Sequence, residues 1–186
     1  IGVPAGHFWD ECDAAVAEAV RAALARLERA GHRLVPIDFA EATAAFELWL
    51  GGGIVGAELF AFLGSELPEW IPILDPNVGR RMEAVARVPA LELRSRKAAF
   101  AQLAARAVRR FDDVDVIATP TVPCSPPRLD EVTEPERYRA ANMRLLRNTH
   151  TANVLQLCAI TMPAGFDALG MPVGLQVIAA GMRDDL

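Results

Sequence analysis

Lysine and serine are nearly absent from this sequence: Lys97 is its only lysine, and Ser65, Ser95 and Ser125 are its only serines. The supply of hydroxyl nucleophiles, and of amines to activate them, is therefore very small. Cysteine is sparse as well. Cys12, Cys124 and Cys158 form an odd, widely spaced set with no CxxC pair, which suggests neither a disulfide framework nor a zinc site and fits a reducing cytoplasm. No apolar run reaches the roughly 20 residues that cross a bilayer. The best, Leu48 to Leu63, is rich in glycine and interrupted by Glu58, so no membrane association is expected. Basic blocks are missing too. The formal net charge is -5 and the arginines are scattered along helical stretches, leaving no electrostatic footprint for RNA or DNA. No signal peptide is evident, because the short apolar opening is followed by Asp10, Glu11 and Asp13. The chain begins at Ile1 and ends at Asp184-Asp185-Leu186, and is expected to be a piece of a longer protein.

What is present suffices for a core. Of 186 residues, 52% are hydrophobic, a composition and length ordinary for one globular domain. Ile1 to Pro4 reads as a strand. From Asp13 to Ala30, Val16, Val20, Ala23, Leu24 and Leu27 recur at spacings of three and four, which predicts an amphipathic helix. Asp10 or Asp13 can cap its start, and Gly31 can supply the left-handed residue that ends it. His32 to Phe39 reads as a second strand, with Leu34, Val35 and Ile37 toward a core. A strand-helix-strand opening is the repeating element of an α/β sheet.

The next stretch departs from that rhythm. Glu41 to Leu50 and Ile54 to Leu63 read as helices around Gly51-Gly52-Gly53; this triplet lacks the GxGxxG or Walker spacing that holds a phosphate. Pro68, Pro72 and Pro76 then impose turns before a short helix near Val78 to Arg87, and the whole reads as a helical excursion. Leu91 to Phe111 is a long Ala- and Arg-rich helix with Ala99, Leu103, Ala107 and Phe111 on one side. Val114 to Thr119 is an apolar run of strand length, stopped by Pro120 and Pro123. Arg137 to Leu157 reads as mostly helical. Ala159 to Met162 and Val173 to Ala179 read as strands separated by Pro163-Ala164-Gly165 and by Leu169-Gly170-Met171-Pro172. There is no internal repeat, low-complexity tract or linker.

The last third carries the most specific text: Asp115-Val116-Ile117-Ala118-Thr119-Pro120-Thr121-Val122-Pro123, Asn153, Ile160-Thr161-Met162-Pro163-Ala164-Gly165-Phe166 and Gly170-Met171-Pro172-Val173-Gly174-Leu175-Gln176. In order and spacing this resembles the C-terminal pattern of the amidase signature family, and Ile1-Gly2-Val3-Pro4 followed by a helix, Gly31 and a strand is similar to that family's C-terminal half. The resemblance implies a three-layer α/β/α fold with a mixed central sheet, residues 1–186 being the C-terminal portion of a single domain whose N-terminal catalytic portion is absent. It further implies hydrolysis of a small-molecule amide, or transfer of its ammonia, without metal or organic cofactor. In that family a serine nucleophile is activated by a second serine and a lysine, all in the N-terminal half. The serines and lysine of this sequence cannot assemble that set, so no catalytic residue is assigned and the chain alone is expected to be inactive.

Substrate-binding positions are the expectation that remains. Thr119-Pro120 and Met162-Pro163 end strands where ligand-facing loops start in α/β sheets, so Thr119, Pro120 and Pro163 border a cleft or simply terminate strands. Amidotransferase A subunits, which resemble this region, carry paired arginines near Arg80-Arg81 that help hold a carboxylate, a task for which a guanidinium fork is suited. Arg81 therefore joins the set, with surface pairing as the other reading. The same subunits have an acidic residue where this sequence has Leu146, seven positions before Asn153, and that departure points toward an amidase whose substrate lacks an ammonium group. Allophanate hydrolase is a second relative, similar at Pro36-Ile37-Asp38-Phe39 and Asn153-Val154-Leu155. Gln176 faces opposite to Leu175 and Val177, for a structural hydrogen bond or a substrate contact. His150, which Asp112 or Asp113 could orient, lacks an accompanying elbow serine and reads as structural, as Lys97 does among Arg94 and Arg96. A non-enzymatic binding module is the rival from another class. If the sheet ends in an open edge, self-association follows.

Overall fold

The computed structural model describes residues 1–52, 54–85 and 88–184, with residues 81–85 described by their backbone alone. These residues divide into two compact units, one formed by Ile1–Phe46 with Leu103–Leu186 and the other by Glu47–Gln102. The first unit holds a five-stranded mixed sheet. Its strands are β1 (Gly2–Pro4), β2 (Val35–Ile37), β3 (Ile117–Pro120), β4 (Cys158–Phe166) and β5 (Pro172–Ala179), in the spatial order β2-β1-β3-β5-β4. β1 runs parallel to β2 and β3, whereas β5 is antiparallel to both β3 and β4. The carboxyl ends of β1, β3 and β4 consequently lie at the same edge of the sheet.

Helix α1 (Ala14–Arg29) covers one face. Its buried Val16, Val20, Ala23 and Leu24 pack with Ala118, Ala164, Val173 and Leu175, as the three-and-four spacing predicts. Each fully buried Val or Leu side chain contributes about 1.5–3 kcal/mol. The helix ends as expected, with Ala30 as its cap and Gly31 at φ 99°. Asp13 stands at its start, but the carboxylate makes no capping bond to the helix and is used elsewhere. Strand alternation turns Ile117 and Ile178 to the opposite face, and both are fully buried. Helices α6 (Pro135–Leu146) and α7 (Thr149–Val154) follow β3, and α7 packs against β4.

The second unit is helical. It contains the end of α2 (Ala40–Leu50), then α3 (Ile54–Glu66), a 3-10 turn over Pro68–Ile73, α4 (Pro76–Val85), and most of α5 (Ala90–Ala107). Among the described residues, no single helix is long and apolar enough to cross a membrane.

Two expectations require correction, and a third is refined. The second strand is only Val35–Ile37 rather than His32 to Phe39; it is an edge strand whose central Pro36 has no N–H to extend a ladder. Arg137–Leu157 is mostly helical, as expected, in the form of α6 and α7 with a break at Arg147 and Asn148. Pro163 does not end its strand. β4 continues to Phe166 through an irregularity between Pro163 and Gly165, which proline tolerates because β4 is an edge strand with β5 as its one neighbour.

Candidate functional site

The carboxyl edge of the sheet is assembled from loops that lack regular structure but are bonded at nearly every step. After β1 the chain turns through Gly6, at φ 70°, toward α1, and the Trp9 indole donates back to the Pro4 carbonyl at 2.8 Å. This loop meets the Pro-rich loop after β3. The Asp13 N–H donates to the Pro123 carbonyl at 2.7 Å, and the Ser125 N–H to Asp13 Oδ2 at 3.1 Å. Arg144 on α6 donates to the Glu11 carbonyl and, at 2.7 Å, to Asp13 Oδ1. Asp13 thus serves a loop junction instead of capping α1.

Asn148 ties the two strand ends together. Its Nδ2 donates to the carbonyls of Phe8, at 3.0 Å, and Pro120, at 2.8 Å, while its buried Oδ1 has no hydrogen-bond partner among the described residues. The neighbouring Arg147 donates to the His7 carbonyl and lies over the Phe46 ring, with 4.7 Å from guanidinium carbon to ring centroid. His7 is buried, its Nε2 3.4 Å from Thr151 Oγ1. Burial first, and the Arg147 charge second, lower its pKa from 6.5 to about 4, so His7 is neutral near pH 7. His150 is likewise held below its ordinary value by burial. Its Nδ1 stands 3.0 Å from the Arg147 carbonyl and its ring 5.4 Å from Phe46, contacts that fit the structural role expected of it.

On the face opposite α1 the strands carry a row of polar side chains. Thr119, Gln176 and Thr161 stand in register across β3, β5 and β4. One step further along, the Thr121 N–H donates to the Gly174 carbonyl at 3.0 Å, Gly174 pairs with Pro163, and the hydroxyl of Thr121 meets that of Thr161 at 3.2 Å. Gly174 is required by this close approach: a Cβ there would lie 2.6 Å from Thr121 Oγ1 and 2.8 Å from Thr161 Cγ2. Thr119 and Gln176 are buried, but Thr161 and Pro163 are exposed. The Gln176 Nε2 makes no hydrogen bond among the described residues, so the expected structural bond is not formed by that atom. The hydroxyls of Thr161 and Thr121 are the members of this row that reach the surface, whereas Thr119 and Gln176 are enclosed.

The expected substrate-binding residues are placed unequally. Thr119 and Pro120 sit together, buried, at the end of β3, and Pro163 connects to them through Gly174. Arg81 belongs to α4 in the helical unit, and its side chain lies outside the described residues. Its neighbour Arg80 donates to Asn77 Oδ1 at 2.7 Å on the exposed surface of the same helix. Sequence reading missed Thr121, Thr161 and Asn148. The alternation of Thr119 with Thr121 around a proline was an available signal; nothing local marked Asn148, whose partners are 28 and 140 residues away.

Two of the three serines and the lysine make ordinary structural contacts. Ser125 Oγ donates to Asp167, whose pKa this bond lowers, and Ser65 Oγ donates to the Phe62 carbonyl at 3.3 Å. The Lys97 ammonium pairs with Glu58 at 2.5 Å, both side chains being about half exposed. No group of three or more His, Cys, Asp or Glu side chains converges as a metal site among the described residues.

Comparison with known proteins gives one family. The amidase family model matches residues 1–186. The chain is 44% identical over 178 residues to a 2-amino-5-chloromuconic acid deaminase of Comamonas testosteroni, covering 96% of this chain and 38% of that protein. It is 31% identical over 201 residues to the glutamyl-tRNA(Gln) amidotransferase A subunit of Chlorobaculum tepidum, covering 96% of this chain and 41% of that protein. The chain therefore spans less than half the length of these relatives. Among solved structures, Kluyveromyces lactis allophanate hydrolase superposes with a TM-score of 0.79 at 22% identity, over 97% of this chain and 29% of that one. A 6-aminohexanoate cyclic dimer hydrolase bound to its substrate superposes with a TM-score of 0.78 at 19% identity, over 99% of this chain and 42% of that one. These two superpositions establish the fold.

Proposed function

Because the chain belongs to the amidase family, we propose that the complete protein hydrolyses a carboxylic amide to acid and ammonia through an acyl-serine intermediate, and that residues 1–186 complete its sheet and border the acyl side of its pocket. The observation that carries this reading is the match to the family along the whole chain, combined with a serine and lysine content that cannot furnish a serine-serine-lysine set. Catalysis then belongs to an N-terminal portion, and the chain by itself is inactive.

On this reading Thr119, Pro120 and Pro163 frame the pocket, and Arg81 is the residue proposed to hold a substrate carboxylate. Leu146, where amidotransferase A subunits carry an acidic residue, supports a hydrolase over an enzyme that transfers ammonia; allophanate hydrolase remains the rival within the family. The deaminase relative adds 2-amino-5-chloromuconic acid to the compounds worth testing. The protein is proposed to work in the cytoplasm on a small-molecule amide, with neither nucleic acid nor membrane as partner.

One observation favours a second reading, an interaction module. β4 leaves Ile160 63%, Met162 40% and Phe166 72% exposed along an edge strand, an arrangement that invites pairing with another chain. Self-association through this edge is the form proposed, and light scattering showing a monomer at high concentration counts against it.

Ammonia release from simple amides, dipeptide amides, glutamine, allophanate and 2-amino-5-chloromuconic acid decides between the readings. It is measured for this chain alone and for the chain joined to its upstream coding sequence, with a fluorophosphonate serine label in parallel. Activity and labelling in the longer protein alone support the amidase. Turnover by the short chain overturns the absent-nucleophile argument, and silence from both favours the interaction module.

A further inference from the structure

We propose that Cys12 and Cys124 are an oxidative modification site, closing a reversible disulfide between the loop after β1 and the loop after β3 when the protein meets a low-molecular-weight disulfide. Their loops are already joined. The Asp13 N–H donates to the Pro123 carbonyl at 2.7 Å, so one backbone hydrogen bond links the residue just after the first cysteine to the residue just before the second. That bond brings the two cysteine-bearing segments side by side. Disulfides span Cα separations of about 4.4–6.8 Å. Asp13 holds the junction from the side chain as well, accepting from the Ser125 N–H and from Arg144.

The two thiols share their electrostatic surroundings. Each is held above its ordinary pKa, chiefly by burial; the Cys124 charge acts on Cys12, Asp13 raises both and Arg144 lowers both. Both cysteines are free thiols; Cys12 is partly exposed and Cys124 is buried, which sets the order of steps. The Cys12 thiolate attacks the small disulfide, forming a mixed disulfide and releasing one small thiolate. The Cys124 thiolate then attacks the Cys12 sulfur and expels the second. The protein loses two protons and two electrons, and the small disulfide is reduced to two thiols. Cys158, at the amino end of β4 and so at the opposite edge of the sheet, is an internal control. The proposal is independent of the catalytic reading.

The test exposes the full-length protein to oxidised glutathione, quenches with acid, alkylates remaining thiols and maps the unreduced peptides by mass spectrometry. The expected product joins the Cys12 peptide to the Cys124 peptide, leaves Cys158 alkylated, and is reversed by dithiothreitol. Cys124→Ser should trap glutathione on Cys12, and Cys12→Ser should leave Cys124 free for alkylation. Three results overturn the proposal: glutathione persisting on Cys12 in the unsubstituted protein, no protection of Cys12 and Cys124 from alkylation, or the same mixture of pairings in folded and urea-unfolded protein.

Discussion

The sheet unit buries a core of large apolar side chains, while in the helical unit most such side chains remain at least partly exposed. Phe8, Ile117, Leu155 and Ile178 are fully buried around the sheet, whereas among the described residues of Glu47–Gln102 only Leu63 is buried. Val55, Phe62, Trp70 and Ile73 of the helical unit are more than half exposed. Polar groups follow the same division. The sheet unit keeps buried, bonded side chains such as Asn148, and Glu41 receives a two-pronged contact from Arg110 at 2.8 and 3.0 Å. In the helical unit the links are surface ones, Lys97 to Glu58 and Arg96 to Glu92, of a kind that contributes little stability. Folding stability is therefore concentrated in the sheet unit, and the apolar surface of α3 is available for contacts.

The largest predicted effect is at the buried centre of the sheet unit. Phe8→Ala should cost about 3–5 kcal/mol in urea unfolding, and a loss near zero would place the stability elsewhere. Glu41→Ala should cost about 1–3 kcal/mol, because it leaves the Arg110 guanidinium, a third exposed, without its carboxylate. The bond from Arg110 holds the Glu41 pKa low, so its contribution is present at neutral pH and is lost as pH falls through the acid range. Gly174→Ala should also cost about 1–3 kcal/mol by forcing Thr121 and Thr161 apart, with Thr161→Ala as a second substitution that recovers part of the loss.

Titration sharpens the contrast further. His7 binds a proton in the unfolded chain near pH 6.5 but in the folded protein only near pH 4. Its contribution to stability is complete above pH 6.5 and diminishes as pH falls toward 4. Thermal unfolding across that window should show a falling Tm, with a shallower slope in His7→Gln; an unchanged slope would exclude His7 as the cause. The smallest effect is expected in the other unit, where Phe62→Ala should change stability by no more than about 0.5 kcal/mol. A larger loss there would erase the comparison.

What the sequence revealed follows the same physical division. The face of α1 was legible because its apolar residues repeat locally at helical spacing, and the strands of the last third because proline and glycine punctuate them. The amidase resemblance rested on those same runs. The continuation of β4 through Pro163 was not legible, since it depends on that strand having one neighbour. The break between α6 and α7 was hidden for a related reason: Arg147 finds its partners about the β1 loop, 140 residues earlier at His7, and Asn148 finds its own 28 and 140 residues earlier. Of the pocket positions expected, Thr119, Pro120 and Pro163 are linked by the sheet register, but their connection passes through Gly174 and Thr121, whose pairing across strands no local pattern shows.

The contact between Glu41 and Arg110 also bears on chain entropy. It closes a loop of the polypeptide just outside the helical segment, bridging 69 positions of sequence. Once such a loop is closed, doubling its length costs only about 0.6 kcal/mol more. The sheet unit can therefore accept helical segments of different length between Glu41 and Arg110 with little change in its own stability, and insertions or deletions there are the alterations of chain length it should tolerate best.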